Sequence, residues 1–201
     1  MTPLLWILLG YLLGSFPAGY LAARVVKGVD IRTVGSGNVG STNVGRLMGK
    51  KWAVAVTLVD MIKGTAGLLL AKGAGVADPG ILALTAFAGV CGHNFPLWLG
   101  FRGGKGVSST YGVAFFLHPP LSFLLAPAGG LLWLLLFKTK GYVSLASLVS
   151  LWSLPLLALL LRFPLPYIIL LAALALLSTL RHRENIRRLL EGKESRGGGK
   201  K

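Results

Sequence analysis

Pro164-Leu-Pro-Tyr-Ile-Ile-Leu-Leu-Ala-Ala-Leu-Ala-Leu-Leu-Ser-Thr-Leu180 contains no charged side chain, and Arg181-His-Arg-Glu-Asn-Ile-Arg-Arg188 follows it directly. A hydrocarbon core about 30 Å thick takes roughly 20 apolar residues of helix to cross. An apolar run that ends abruptly in cations reads as a membrane helix meeting the cytoplasmic interface. Runs of the same kind recur at Leu4 to Ala23, Trp52 to Ala71, Gly80 to Leu99, Leu121 to Phe137 and Tyr142 to Leu161. Another, Val107 to Leu117, is short and is followed by His118, Pro119 and Pro120. It crosses only with help from its flanks or from locally buried backbone. Six helices with one re-entrant segment is therefore the alternative to seven.

The loop charges favour seven. With the N-terminus outside, the segments assigned to the inside hold 18 Lys and Arg and those assigned to the outside only Lys72 and Arg162, which is a positive-inside pattern. Dropping the short helix would put Lys138 and Lys140 on the opposite side from Arg102 and Lys105. The expected fold is an all-α membrane protein with seven transmembrane helices and a cytoplasmic C-terminus. It forms a single domain over 1–194, with a disordered tail over 195–201. Composition agrees: 54% of the residues are hydrophobic, with 21 Lys and Arg against 6 Asp and Glu. In a soluble chain that balance would point to nucleic acid. Between apolar runs it points to lipid head groups or small anions. The lone Cys91 cannot form an internal disulfide. Met-Thr-Pro lacks the positive leader of a secretory signal, so the first run is expected to be retained.

Three polar clusters fall on the expected cytoplasmic side. The first is Gly35-Ser-Gly-Asn-Val-Gly-Ser-Thr-Asn-Val-Gly-Arg46. Its Gly35, Gly37 and Gly40 match a dinucleotide fingerprint only formally, because that fingerprint has meaning between a strand and a helix. The physical content remains: glycines turn backbone N–H groups toward an anion, Ser36, Asn38, Ser41, Thr42 and Asn43 add neutral donors, and Arg46 adds charge. The second is Gly92-His-Asn-Phe-Pro96 followed by Gly103-Gly-Lys-Gly-Val-Ser-Ser-Thr110. Here a glycine run carrying Lys105 leads into a helix start with Ser108, Ser109 and Thr110, an arrangement that suits phosphate. His93, a lone histidine near a helix end, is on its own more often a structural hydrogen-bonder. The third cluster continues the last span, with His182 and Asn185 on one helix face and with Arg187 and Arg188, which equally suit lipid phosphates. Inside the membrane Asp60 and Lys63 are three apart and can simply pair.

Some chemistries are disfavoured by what the chain lacks. It has three aspartates and three glutamates, two of them far down the tail, too few and too scattered for a magnesium cluster. No Ser/His/Asp set and no Cys/His nucleophile pattern is present. The absence of an internal repeat weakens a reading as an inverted-repeat transporter. A transporter of a small phosphorylated anion is still the competing class, but it would need anion ligands reachable from both faces.

These residues resemble a known family, the bacterial membrane acyltransferases that move an acyl group from acyl phosphate to glycerol 3-phosphate. The resemblance covers nearly the whole chain. It runs from Gly14-Ser-Phe-Pro-Ala-Gly-Tyr20 and Asp30-Ile-Arg32, through Gly35 to Arg46, Asp60, Lys63, Gly92 to Pro96 and Gly103 to Gly106, to His182, Asn185, Arg188, Gly192 and Glu194. Small departures are Ser41 where alanine is common, Arg102 where lysine is common, and the pair Ser108-Ser109. The resemblance implies seven helices, an active site at the cytoplasmic face of a bacterial inner membrane, no metal or cofactor, and lysophosphatidate as product. The catalytic side chains expected are Ser36, Asn38, Lys105, His182 and Asn185. Contacts to glycerol 3-phosphate and acyl phosphate are expected from Gly37, Gly40, Ser41, Thr42, Asn43, Arg46, His93, Gly103, Gly104, Gly106, Ser108 and Arg188. Partners are these substrates and membrane lipids, with no nucleic acid and no obligate protein partner. An acyl phosphate already carries a good leaving group, so a chain without an activated nucleophile suits it.

Overall fold

The structure is a computed structural model that describes residues 2–197. Helices joined by loops make up the described residues, which divide into two compact units, one ending at Val113 and the other beginning at Ala114. In the first unit α1 (Pro3–Gly14) and α2 (Ala18–Lys27) together make the first span. The chain breaks between them because Pro17 has no N–H to continue the ladder, while the Ser15 hydroxyl donates to the Tyr11 carbonyl at 2.8 Å. The continuous run expected over Leu4 to Ala23 is thus two helices. Next come α3 (Ser41–Met48), α4 (Lys50–Gly73) and α5 (Pro79–Asn94), and α6 (Val107–Phe116) starts within this unit. The third span runs on from α5 through Phe95 and Pro96 into a 3-10 turn at Leu97–Leu99.

α1, α4 and α5 pack on one another through small residues, as helices in lipid do. A side chain at Gly14 would lie 1.9 Å from the Gly89 carbonyl oxygen, and one at Gly67 would lie 2.5 Å from the Gly10 Cα. Large apolar side chains such as Leu58, Ile62, Leu70 and Leu84 point outward, while Asp60, Thr65, Thr85, His93 and Asn94 are buried. This inversion of the soluble pattern is what a lipid solvent requires. α3 forms within a polar stretch and is held by Val44, packed with Ala23, Ile31, Val39, Val56 and Leu99.

The second unit comprises α7 (Ser122–Lys140), α8 (Val143–Leu160), α9 (Leu165–Arg181) and α10 (Arg183–Leu190). Gly141, at φ 79°, ends α7 and turns the chain into α8, and Trp133 donates to Ser147 across that hairpin at 3.1 Å. α8 packs on α9 around Leu151, Leu154, Leu171 and Leu174. The last span does not run straight into the polar tail: α9 and α10 meet at His182 with a bend of 64°. Of the expected tail, Gly197 donates its N–H to the Gly141 carbonyl at 2.8 Å and Arg196 lies over the Tyr142 ring. Residues 198–201 lie outside the described residues.

Among the described residues, five stretches can cross a membrane by length and hydropathy: Pro3–Lys27, Lys50–Gly73, Pro79–Leu99, Ser122–Lys140 and Val143–Leu160. Counting the bent pair α9 and α10 as one span gives six. α6, with 10 residues, rises only about 15 Å and falls short of that test.

Candidate functional site

The first cluster is a loop organised by one side chain. Asn43, in the first turn of α3, is 2% exposed. Its Nδ2 donates to the carbonyls of Ile31, Val34 and Asn38 at 3.2, 2.9 and 3.0 Å. Its Oδ1 accepts the Ser36 N–H at 3.0 Å. The carboxamide that sequence reasoning assigned to substrate is thus engaged in folding the loop. Asn38 accepts the Gly40 N–H at 2.9 Å, a local turn of the kind asparagine favours. Gly35 and Gly37 have φ of 58° and 68°, a left-handed backbone that costs other residues energy. The result holds Ser36, Gly37, Thr42 and Arg46 exposed, with Gly40 and Ser41 partly so. Beside it Arg32 grips Asp30 at 2.7 Å, and its hydrogen bonds lower the Asp30 pKa to about 2. The Arg32 guanidinium also lies 5.2 Å from the centre of the Tyr20 ring.

The second cluster closes on its own beginning. The Gly103 N–H donates to the Asn94 carbonyl at 3.2 Å and the Gly104 N–H to the His93 carbonyl at 3.0 Å, so the glycine run is seated on the end of α5. Gly106, at φ 81°, turns the chain into α6, whose first turn closes with Thr110 donating to Gly106 at 2.8 Å. Lys105 is half-buried between two buried glycines. Of the three hydroxyls, Ser109 is buried and donates to the Asp60 carbonyl at 2.9 Å, Thr110 is buried, and Ser108 is partly exposed. Asp60 and Lys63 pair at 2.9 Å as expected. His93 joins them, its Nδ1 3.4 Å from the same carboxylate oxygen. Nothing in the spacing of residues 60 and 93 could have foretold that.

The third cluster lies at the bend between α9 and α10. His182 caps α9, 3% exposed, with Nδ1 2.8 Å from the Ser178 carbonyl. A carbonyl only accepts, so Nδ1 carries the proton and Nε2 is left as the basic atom. His182 also caps the start of α10, where its carbonyl accepts the Ile186 N–H at 2.9 Å. Asn185 donates to Glu194 Oε1 at 2.6 Å. Arg188 donates to Glu194 Oε2 at 2.8 Å, and Ser144 to Oε1 at 2.8 Å. Burial works to raise the Glu194 pKa, but these donors outweigh it and hold the carboxyl below its ordinary value. Glu194 was not among the expected site residues. Its signal was its place at the end of the motif, two residues after Gly192. Among the described residues, no group of three or more His, Cys, Asp or Glu is placed to hold a metal ion.

The geometry can be set beside known proteins. The family described as glycerol-3-phosphate acyltransferase matches residues 4–192. The glycerol-3-phosphate acyltransferase of Aquifex aeolicus is 41% identical over 196 residues, covering 98% of this chain and all of that protein. The crystal structure of PlsY, an integral membrane glycerol 3-phosphate acyltransferase, in its glycerol 3-phosphate form superposes with a TM-score of 0.90 at 42% identity, covering 98% of this chain and 96% of that one. Its lysophosphatidic acid form superposes with a TM-score of 0.88 at 41% identity, over 96% and 94% of the two chains.

Proposed function

The chain belongs to the glycerol-3-phosphate acyltransferase family, integral membrane enzymes with multiple transmembrane helices, and from that premise we propose that it transfers an acyl group from acyl phosphate to the sn-1 hydroxyl of glycerol 3-phosphate. The products are lysophosphatidate and inorganic phosphate. In this reading seven helices cross a bacterial inner membrane, α6 being the short one, with the N-terminus outside and the chemistry at the cytoplasmic face. Residues 1–194 act as one catalytic domain.

The observation that carries the reading is the glycine run that seats Lys105 at the N-terminus of α6. Helix-terminal N–H groups and a lysine ammonium together suit a phosphate group. The exposed Ser36 and Arg46 around the loop folded by Asn43 supply a second set of anion contacts. Gly37, Gly40, Ser41 and Thr42 line that loop, and Gly103, Gly104, Gly106 and Ser108 line the other. The enzyme then has to hold two anions, align a hydroxyl with a carbonyl, and stabilise developing negative charge.

The substrate oxygen attacks the acyl carbon, the carbon–oxygen bond to phosphate breaks, and phosphate leaves with the electron pair. The hydroxyl proton passes to His182 Nε2 or to a phosphate oxygen, whose second pKa lies near 6. His182, Asn185 and Arg188 orient substrate, and no acyl-enzyme and no metal takes part. Purified protein supplied with radiolabelled glycerol 3-phosphate and palmitoyl phosphate is expected to form lysophosphatidate. Failure to do so with demonstrably folded protein would refute the assignment of the donor.

A further inference from the structure

Between the Lys105 loop and the membrane interior sits a buried ionic group that the reaction above does not use. Asp60 is 2% exposed and lies between the Lys63 ammonium at 2.9 Å and His93 Nδ1 at 3.4 Å. Lys63 also donates to the Phe16 carbonyl, at the break between α1 and α2. Charges at this depth are costly to bury and persist where they pair or work.

What distinguishes this group is its contact with both ends of the glycine run. At the near end, His93 lies under Gly104: a Cβ on that residue would fall 2.0 Å from His93 Nε2. The Gly104 N–H rests on the His93 carbonyl. The Asn94 carboxamide fills the corresponding space at Gly106, 2.8 Å from where a Cβ would stand. At the far end, Ser109 of α6 donates to the carbonyl of Asp60 itself. There α6 approaches α4 so closely that a Cβ on Gly64 would lie 2.6 Å from the Ser109 Cβ. Residues 103–106 are thus strung between two supports, and both meet at Asp60.

We propose that Asp60 is a positioning residue that, acting through His93, fixes the Gly103–Gly106 loop and so sets where Lys105 presents its charge. The carboxylate faces the imidazole at 3.4 Å, the imidazole forms the floor beneath Gly104, and three of the four loop residues above it are glycines. The inference rests on the reading of Lys105 as a substrate-phosphate ligand. It assigns Asp60 no contact with substrate.

Asp60→Asn alone leaves the Lys63 ammonium buried without a counter-charge and is a poor test, because the protein can unfold. Asp60→Asn with Lys63→Met removes both charges. That variant is expected to melt with the wild-type protein and yet lose about 10- to 100-fold in kcat/KM, the scale of loss from a small misplacement of a positioned group. His93→Gln should lose a similar amount, and adding it to the charge-free variant should cost nothing more, because both changes release the same floor. Full activity in the charge-free variant, or losses that multiply on combination, would overturn the proposal. Assays use whichever acyl donor the wild-type protein accepts. A wild-type protein inert with palmitoyl phosphate but active with another donor refutes the donor assignment and leaves the Asp60 test intact.

Discussion

In the proposed reaction Lys105 and His182 divide the chemistry at the scale of single residues. Lys105 sits half-buried between glycines, where a charge-assisted contact to phosphate contributes more than it would in bulk water. Lys105→Ala is expected to lower kcat/KM by roughly 30- to 1000-fold. Lys105→Arg should restore little, because a planar fork approaches an anion differently from a compact ammonium. A fully active Lys105→Ala enzyme would contradict the phosphate assignment. His182→Gln keeps hydrogen-bonding capacity but cannot take a proton at neutral pH. If phosphate shares the role of base, this variant keeps a measurable fraction of activity. Complete inactivity with normal glycerol 3-phosphate binding would make His182 the sole base. Both residues are legible in the sequence as candidates, because lysine in a glycine run and histidine after a span are local patterns. The loop-folding bonds of Asn43 and the place of His93 against Asp60 were not legible there. Which atoms a carboxamide or imidazole meets depends on backbone brought from many residues away.

At the scale of elements, the end of the chain shows how a tail is tied to helices. Glu194 draws in Asn185 and Arg188 of α10 and Ser144 of α8, so one carboxylate joins two helices and the segment after them. Its pKa is lowered in the folded protein. The stabilisation is therefore fully present above the ordinary carboxyl value of 4.5 and is lost as pH falls through the lower folded value. Thermal melts of wild-type and Glu194→Gln protein should differ at neutral pH and converge in acid below that point. A gap between them that persists unchanged in acid would show that the carboxylate is not the source. Elements were legible where hydropathy alone decides them, as in α4, α7 and α8. They were not where punctuation decides them. Pro17 splits the first span, α3 forms inside a polar stretch because Val44 finds a core, and the chain bends at His182 where a straight helix was expected.

At the scale of the whole molecule, the sequence conveyed a polytopic helical membrane protein because lipid imposes one simple rule on composition. It did not convey the number of crossings as firmly: among the described residues five or six stretches pass the length test, and the seventh crossing rests on loop charge. With Cys91→Ala as background, Thr42→Cys, Arg102→Cys and Glu191→Cys should escape an impermeant thiol reagent in intact cells, while Ala77→Cys should react. Labelling at any of the first three would break the common cytoplasmic face. The proposed reaction is direct acyl transfer from acyl phosphate to glycerol 3-phosphate. Its most direct test gives purified protein in vesicles radiolabelled glycerol 3-phosphate with either palmitoyl phosphate or palmitoyl coenzyme A, each with and without chelator. Lysophosphatidate should form from palmitoyl phosphate alone, with one phosphate released per product and no effect of chelator. Turnover with the thioester but not the acyl phosphate, or activity lost to chelator and restored by magnesium, would contradict it.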